Sequence, residues 1–340
     1  MAMRVLNVED LDRIRTLVGL MRRKAWDLDA DFSWEAPIDV TKPLLPLAQI
    51  DRMFPRLEVD ERLALSQLFG LVVAQIFSDA EQFLNTTRDT LWADFERLFG
   101  NHPGLLDLGT QFFDEERKHA EMFRRYITRW LLARGLDPVR FFERQPRFSE
   151  SWQHRVILRN AARGGLSFWW IVLLAEEESP LIYKYLEEAA DDIEPLYLRV
   201  HRKHFEEEAR HATFAYTAMA YLADRMHGLA GAVHRRSDII LCQLMQWSFM
   251  LQAFAQQRRE LETAPDHPWV DTVTRAMAKV QRLPLGHLFR VFFREPTLVG
   301  PFFNFRFHEN MVEMARTRGL WSFPLPAVTA RADSPVNGLG

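Results

Sequence analysis

Apolar residues recur at every third or fourth position through most of the chain, which is the spacing of one buried face of an α-helix. The alternating Val, Ile and Thr pattern of a half-buried strand is almost missing. Clusters of Pro and Gly separate the periodic segments. Between these clusters the pattern predicts helices over residues 8–26, 59–99, 104–134, 150–191, 194–227, 232–262, 268–282 and 305–318. The chain is therefore predicted to be all-α.

The four consecutive segments between residues 59 and 227 are long and are joined by short or modest connections, which favours antiparallel packing in a four-helix bundle. We expect a single domain over residues 1–323, in which residues 32–46 and the later helices flank this core. A Pro- and Ala-containing tail at residues 324–340 is expected to be disordered. The pair Gly164 and Gly165 inside segment 150–191 is interpreted as a kink, with a true helix break as the alternative.

Composition limits the choice of partners and compartment. Among 340 residues, 43 Lys and Arg balance 46 Asp and Glu, so the net charge of -3 gives no electrostatic reason to expect nucleic acid or an anionic membrane as a partner. A single cysteine, Cys242, excludes an intramolecular disulfide framework and fits the reducing cytoplasm. The N-terminus lacks the apolar stretch of a secretory signal, and the apolar run at residues 166–175 is too short to cross a bilayer. We expect a cytoplasmic protein with small-molecule partners.

The second and fourth long segments each contain a Glu-x-x-His motif, at Glu116 and His119 and at Glu208 and His211. At this spacing both side chains project from one face of a helix and can converge on one metal ion. The neighbouring positions on both faces are largely apolar, where a carboxylate is costly unless it is paired or bound to metal. One such motif is most often an exposed pair on a helix. Two of them are typical of ferritin-like di-iron bundles, which add one Glu from each of two further helices.

The other two core segments offer candidates for those additional carboxylates. Glu81 is the first glutamate after the mostly apolar residues 69–80, although it can also mark the solvated end of its helix. Three successive acids, Glu176, Glu177 and Glu178, follow the apolar run in segment 150–191, and at most two of them can face the core. The sequence alone leaves this choice open.

A further histidine, His204, stands four residues before Glu208 on the same helical face and creates a His-x-x-x-Glu-x-x-His arrangement. From its spacing His204 can be a third imidazole ligand or a core histidine. His201, a turn further away, is interpreted as a non-ligand. The remaining charged residues of the two motifs are turned away from the metal, behind the ligands or at the surface, namely Asp114, Glu115, Glu206, Glu207 and Arg210.

Over residues 61–223 the chain resembles the p-aminobenzoate N-oxygenases and related di-iron arylamine oxygenases of the ferritin-like superfamily, and His204 is the most specific element of the resemblance. The resemblance implies that His204 is a ligand. Its spacing places the third-helix glutamate at Glu177, with Glu176 as the second choice. The implied ligands of two iron ions (Fe2+/Fe3+), with manganese as the alternative metal, are Glu81, Glu116, His119, Glu177, His204, Glu208 and His211.

The implied activity is dioxygen activation as a peroxide that oxidises an amine, from arylamine to hydroxylamine, nitroso and nitro products. An external electron donor and a homodimer belong to the same expectation, and no protein acid or base is assigned apart from the metal centre. Five aromatic residues are candidates for the wall of the substrate pocket: Phe77, Phe113, Trp169, Trp170 and Phe205. Aromatic residues at helical spacing more often belong to the hydrophobic core. One alternative is an oxidase like the ribonucleotide reductase small subunit, which would act on a C–H bond of a fatty acid or other small molecule. Two further alternatives are a ferritin-like iron-binding protein and a metal-free helical interaction protein.

Overall fold

The computed structural model describes residues 8–99, 103–139, 152–162, 165–223, 228–295, 297–304 and 307–317. Its helices are α1 (Val8–Lys24), α2 (Leu47–Met53), α3 (Val59–Phe99), α4 (Pro103–Ala133), α5 (Trp152–Ala162), α6 (Ser167–Glu187), α7 (Pro195–Ala223), α8 (Gly228–Leu261), α9 (Pro268–Gln281), α10 (Leu285–Phe293), a 3₁₀ turn (Pro301–Phe303) and α11 (Glu309–Thr317). These residues contain no strand, so the all-α prediction is confirmed.

Helices α3, α4, α6 and α7 form a closed ring, in which α3 packs on α4, α4 on α7, α7 on α6 and α6 on α3. This is the predicted ferritin-like four-helix bundle, and the other helices flank it. The buried apolar residues of α4 stop at Phe113 and resume at Met122, while those of α7 stop at Val200 and resume at Phe214. The bundle interior therefore has two hydrophobic clusters with a polar layer between them.

The segment predicted as one helix over residues 150–191 is two helices, α5 and α6, so the alternative of a true break is correct. The Asp238 side chain of α8 accepts hydrogen bonds from the Leu166 N–H and from the Asn160 amide, each at 2.6 Å. A Cβ atom at Gly165 would lie 2.3 Å from Asn160 Oδ1, which is already engaged with Ser167. The break is stabilised because these side chains satisfy the backbone groups that a helix would otherwise pair.

The segment before α2 lies along the bundle, as predicted. The Ser66 hydroxyl of α3 accepts a hydrogen bond from Leu45 N at 2.9 Å, and Arg134 donates to the Val40 carbonyl at 3.1 Å. At Gly70 a Cβ atom would lie 2.3 Å from Leu44 Cβ. The absence of a side chain at Gly70 therefore allows this segment to approach the backbone of α3.

Two short helices were not predicted from the periodicity. Helices α2 and α10 have 7 and 9 residues, and each follows a proline, Pro46 or Pro284. They are too short to show a clear apolar period, and they are stabilised by packing on the bundle. The helix predicted over residues 305–318 is shorter, since α11 begins at Glu309. The tail predicted at residues 324–340 lies outside the described residues.

Helix α3 contains a long apolar segment. Its segment Val59–Trp92 has the length and composition of a helix that could cross a membrane, and 83% of its most apolar stretch is buried by the rest of the chain. A central helix of a helical bundle can be equally long and apolar when the other helices bury it.

Candidate metal centre

The polar layer between the two hydrophobic clusters consists of buried carboxylates and imidazoles from all four core helices. Each of these side chains is at most 2% exposed. The acid–histidine cluster, as we name this set, comprises Glu81 of α3, Glu116 and His119 of α4, Glu176 of α6, and His204, Glu208 and His211 of α7. Six of the seven residues predicted from the sequence therefore lie together, and Glu177 is the one that does not.

The ligand atoms fall into two overlapping groups, and within each group all atoms lie within 4.8 Å of one another. One group is Glu81, His119, His204 and Glu208, and the other is Glu116, His119, Glu208 and His211. Glu208 faces both groups, because its Oε1 lies 2.7 Å from His204 Nε2 and its Oε2 lies 3.5 Å from His211 Nδ1. A carboxylate in this position can bridge two metal ions.

Several of these atoms lie close together without forming hydrogen bonds. Glu116 Oε1 and His211 Nδ1 are 2.7 Å apart, yet neither has a hydrogen-bond partner. Both carboxylate oxygens of Glu81 and of Glu176 are also without such partners, although Glu176 Oε2 lies 3.4 Å from His211 Nδ1. A buried polar atom left unpaired costs about 1–3 kcal/mol. Metal ions among these atoms would satisfy them, so the residues fit a dinuclear site.

The protonation of the cluster also fits a metal site. Burial raises the pKa of Glu116 to about 7 and raises the pKa values of Glu81 and Glu176 well above their usual range. Burial also acts to raise the pKa of Glu208, but the His204 and His211 charges outweigh it and lower that pKa. Without metal, the cluster therefore retains protons on several carboxyl groups. Metal ions compete with these protons, because carboxylates coordinate in their deprotonated form.

Two acids outside the cluster orient two of its histidines. His119 Nε2 of α4 lies 2.7 Å from Glu207 Oε2 of α7, and His211 Nε2 of α7 lies 2.7 Å from Glu115 Oε2 of α4. In its neutral form, each imidazole that donates its Nε2–H to this partner presents the Nδ1 lone pair to the cluster. Lys118 Nζ also donates to Glu207, at 2.9 Å. The residue directly before each motif glutamate thus serves the histidine of the other motif.

Glu177 lies on another side of α6, which corrects the choice made from the sequence. Its carboxylate accepts hydrogen bonds from Asn310 N at 2.7 Å and Met311 N at 3.3 Å, in the first turn of α11. The free amides and the dipole at the start of a helix favour a carboxylate there. Each residue step turns a helix by about 100°, so Glu176 then points into the bundle.

The other residues singled out from the sequence lie around the cluster. His201 is fully buried, its ring nitrogens have no hydrogen-bond partner, and burial lowers its pKa well below the usual value. His201 belongs to neither group of ligand atoms, which agrees with its interpretation as a non-ligand. The Phe77 ring packs against His204, with ring centroids 4.9 Å apart. Of the other aromatic candidates, Phe113, Trp169 and Trp170 belong to a hydrophobic cluster, and Phe205 is 36% exposed.

Comparisons with known proteins place these observations in a family. The model of the family described as P-aminobenzoate N-oxygenase AurF matches residues 9–284, which contain all four core helices. No curated protein matches the chain.

Among solved structures, an R2-like ligand-binding oxidase with an aerobically reconstituted Mn/Fe cofactor is 14% identical, with a TM-score of 0.45 over 85% of this chain and 90% of that chain. An R2-like ligand-binding oxidase with an aerobically reconstituted metal cofactor after photoconversion is also 14% identical, with a TM-score of 0.40 over 91% of this chain and 93% of that chain. The family match covers most of the chain and includes the whole acid–histidine cluster. The chain therefore belongs to the P-aminobenzoate N-oxygenase AurF family and is a di-metal oxidase.

Proposed function

We propose that this protein is a non-haem di-iron oxygenase that oxidises the nitrogen of a small amine, from an arylamine to hydroxylamine, nitroso and nitro products. The observation that carries the proposal is the position of His204. Its Nε2 lies 2.8 Å from Glu81 Oε1 and 2.7 Å from Glu208 Oε1, so a third imidazole is turned into the cluster. The His-x-x-x-Glu-x-x-His arrangement was the most specific element of the resemblance to arylamine oxygenases.

The donor set favours iron, with manganese as the alternative. Carboxylate oxygens and imidazole nitrogens suit these metals, and the cluster contains no thiolate of the kind that Cys-rich structural zinc sites use. When bound, the metal pair supplies the dioxygen chemistry that amino-acid side chains lack. In this proposal the metal pair would be held by Glu81, Glu116, His119, Glu176, His204, Glu208 and His211, with Glu208 facing both groups of ligand atoms.

The chain's own residues hold this centre in a fixed, dry environment. Glu115 and Glu207 keep two imidazoles in the orientation that ligation needs. Phe77 and Phe123 pack their rings against His204, each with centroids 4.9 Å away. Apolar walls of this kind exclude bulk water and so limit side reactions such as hydrolysis and proton leakage.

The remaining parts of the proposal follow from the resemblance and the composition. Insertion of one oxygen atom of dioxygen into an amine N–H bond releases the other atom as water and consumes two electrons and two protons. An external electron donor must therefore take part. Function as a homodimer and a cytoplasmic location stay predictions.

The test is to load the full chain with Fe2+ without oxygen, measure metal per chain, and then admit isotopically labelled dioxygen with a reductant. Arylamines and fatty acids are supplied in parallel, and the products are identified by mass spectrometry. We expect two metal ions per chain and labelled hydroxylamine from an arylamine. Oxidation of a C–H bond in the fatty acid with no N-oxygenated product would instead favour the oxidase alternative, and iron storage without either product would favour the ferritin-like one.

A matched pair of variants separates the cluster from its surroundings. His204→Ala removes an imidazole inside the cluster, whereas His201→Ala removes an equally buried imidazole one turn earlier on α7. We expect loss of N-oxygenation in the first variant and its retention in the second, provided that both remain folded by circular dichroism.

A further inference from the structure

An apolar cavity of about 80 Å³ lies outside the four-helix ring, between α3, α5, α6 and α8. Its wall includes Ile76 and Phe77 of α3, Ile171 and Leu174 of α6, and Met245 of α8. Methionine side chains such as Met245 adapt their shape easily. The space has about half the volume of a cavity that holds benzene, so one aromatic ring or an aliphatic group of similar size enters when these walls move apart.

The cavity adjoins the acid–histidine cluster. Phe77 lines the cavity, and its ring also packs against His204. Two other wall residues, Ala80 and Ala175, directly precede two members of the cluster in sequence. The Phe77 ring therefore lies between the cavity and His204.

The wall includes one carboxylate among its described residues, that of Glu178, which is only 4% exposed. Its Oε1 accepts a hydrogen bond from Gln246 at 3.4 Å and lies 3.3 Å from His308 Nε2. Its Oε2 is buried and has no hydrogen-bond partner. Because an unpaired buried acceptor is costly, this oxygen is suited to a donor brought by a ligand.

The other polar side chain in the wall is already engaged. Gln246 Nε2 donates to the Pro301 carbonyl at 3.0 Å, and Gln246 Oε1 accepts from Gln243 at 2.7 Å. Among the described residues that line the cavity, none is Lys, Arg or His. The wall therefore offers an acceptor and no cation for an anionic group.

We propose that this cavity binds the apolar body of the substrate and that Glu178 Oε2 accepts a hydrogen bond from an N–H or O–H group on it. The inference rests on the proposed function and specifies its substrate class: neutral or cationic aryl amines with a second hydrogen-bond donor. An aryl amine with a carboxylate, such as p-aminobenzoate, is disfavoured, because the described residues of the wall include no Lys, Arg or His that would compensate its buried charge.

Binding is measured by calorimetry on the iron-loaded full chain without oxygen, so that no turnover occurs. The three probes have the same ring and differ in one substituent: 4-aminophenol, 4-toluidine and p-aminobenzoate. We expect 4-aminophenol to bind about tenfold more tightly than 4-toluidine, since one hydrogen bond accounts for roughly that factor. We expect p-aminobenzoate to bind most weakly of the three. The inference would be overturned if p-aminobenzoate bound as tightly as 4-aminophenol or more tightly, or if 4-aminophenol did not bind.

Variants locate the binding site. Glu178→Leu is expected to abolish the preference for 4-aminophenol over 4-toluidine, and Glu178→Gln is expected to reduce that preference while improving p-aminobenzoate binding. Ile171→Phe fills the cavity from α6 and is expected to weaken all three probes. Circular dichroism and metal content confirm that each variant is folded and loaded. Unchanged affinities in Ile171→Phe and in both Glu178 variants would show that the probes bind elsewhere.

The two proposals fail in different ways. Selective binding that depends on Glu178, without any N-oxygenated product, would contradict the proposed function and leave the cavity assignment intact. N-oxygenation with affinities that depend on neither Glu178 nor Ile171 would contradict the cavity assignment alone.

Discussion

Glu176 and Glu177 are adjacent in sequence, but their carboxylates serve different parts of the molecule. Glu176 lies beside His211 in the acid–histidine cluster, whereas Glu177 accepts hydrogen bonds from the first amides of α11. The rotation of α6 about its axis therefore determines which acid belongs to the candidate metal centre. The same rotation places Glu177, which is next to a proposed ligand in sequence, against the first turn of α11.

The first prediction separates these two acids by substitution. Glu176→Gln is expected to lower bound iron from two ions per chain towards one, because it removes an anionic ligand. Glu177→Gln is expected to keep both ions and to lower the free energy of unfolding by about 1 kcal/mol, through a weakened helix N-terminus. Metal analysis and chemical denaturation measure the two effects. Loss of iron in Glu177→Gln together with full loading in Glu176→Gln would restore the assignment made from the family spacing.

The second prediction concerns the acids that orient the histidines. Glu207→Ala removes the partner of His119 Nε2, and we expect metal affinity to fall by about 10–100-fold although no proposed ligand is changed. Glu206→Ala, at the preceding and exposed position, is the control and should leave the affinity unchanged. Competition with a metal chelator measures both values. Equal affinities in the two variants would argue against the orienting role.

The third prediction tests the close approach at Gly70. Gly70→Ala should lower the free energy of unfolding by about 1–3 kcal/mol, since the new Cβ atom would overlap Leu44. Gly286→Ala is the matched control, because a Cβ atom there meets nothing within 4 Å and alanine favours the helix. Denaturation midpoints should fall in the first variant and stay equal or rise in the second. A stabilised Gly70→Ala protein would contradict the packing described for α3.

The fourth prediction uses the single cysteine as a probe of α8. Cys242 is 2% exposed, and burial, together with the Asp238 charge, raises the pKa of its thiol well above the usual value. The reactive thiolate is therefore scarce at about pH 8, and alkylation of the native protein should be ~100-fold or more slower than alkylation in denaturant. Mass spectrometry of the alkylated chain follows both reactions. Similar rates in the two conditions would show that this part of α8 is open in the native state.

The fold class and the core of the candidate site were predictable because they depend on local spacing. Apolar residues every three or four positions predicted α3, α4 and α7 of the bundle, and they predicted α6 as part of one longer helix. The Glu-x-x-His motifs placed Glu116 with His119 and Glu208 with His211 on shared helical faces, whatever the surrounding fold. Helical spacing made Glu81 and His204 candidates along α3 and α7, and the family resemblance implied that His204 is a ligand.

The sequence contains a signal for the two acids that orient the histidines. Both motifs have a second glutamate directly before the proposed ligand, at Glu115 and Glu207. Helical geometry correctly turned these residues away from the cluster. It could not pair Glu115 with His211 or Glu207 with His119, because each pair joins α4 to α7 across the bundle.

What the sequence determined by itself is thus everything that one helix can establish alone: the helical periods, the shared faces and the chemistry of the donor groups. The tertiary structure decided the break before α6, the choice of Glu176 over Glu177, and the placement of Glu178 in the wall of an apolar cavity. Each of these depends on the rotation of one helix against its neighbours. That rotation is set by contacts between residues far apart in the chain. The local sequence therefore cannot indicate which of three successive acids faces the bundle interior.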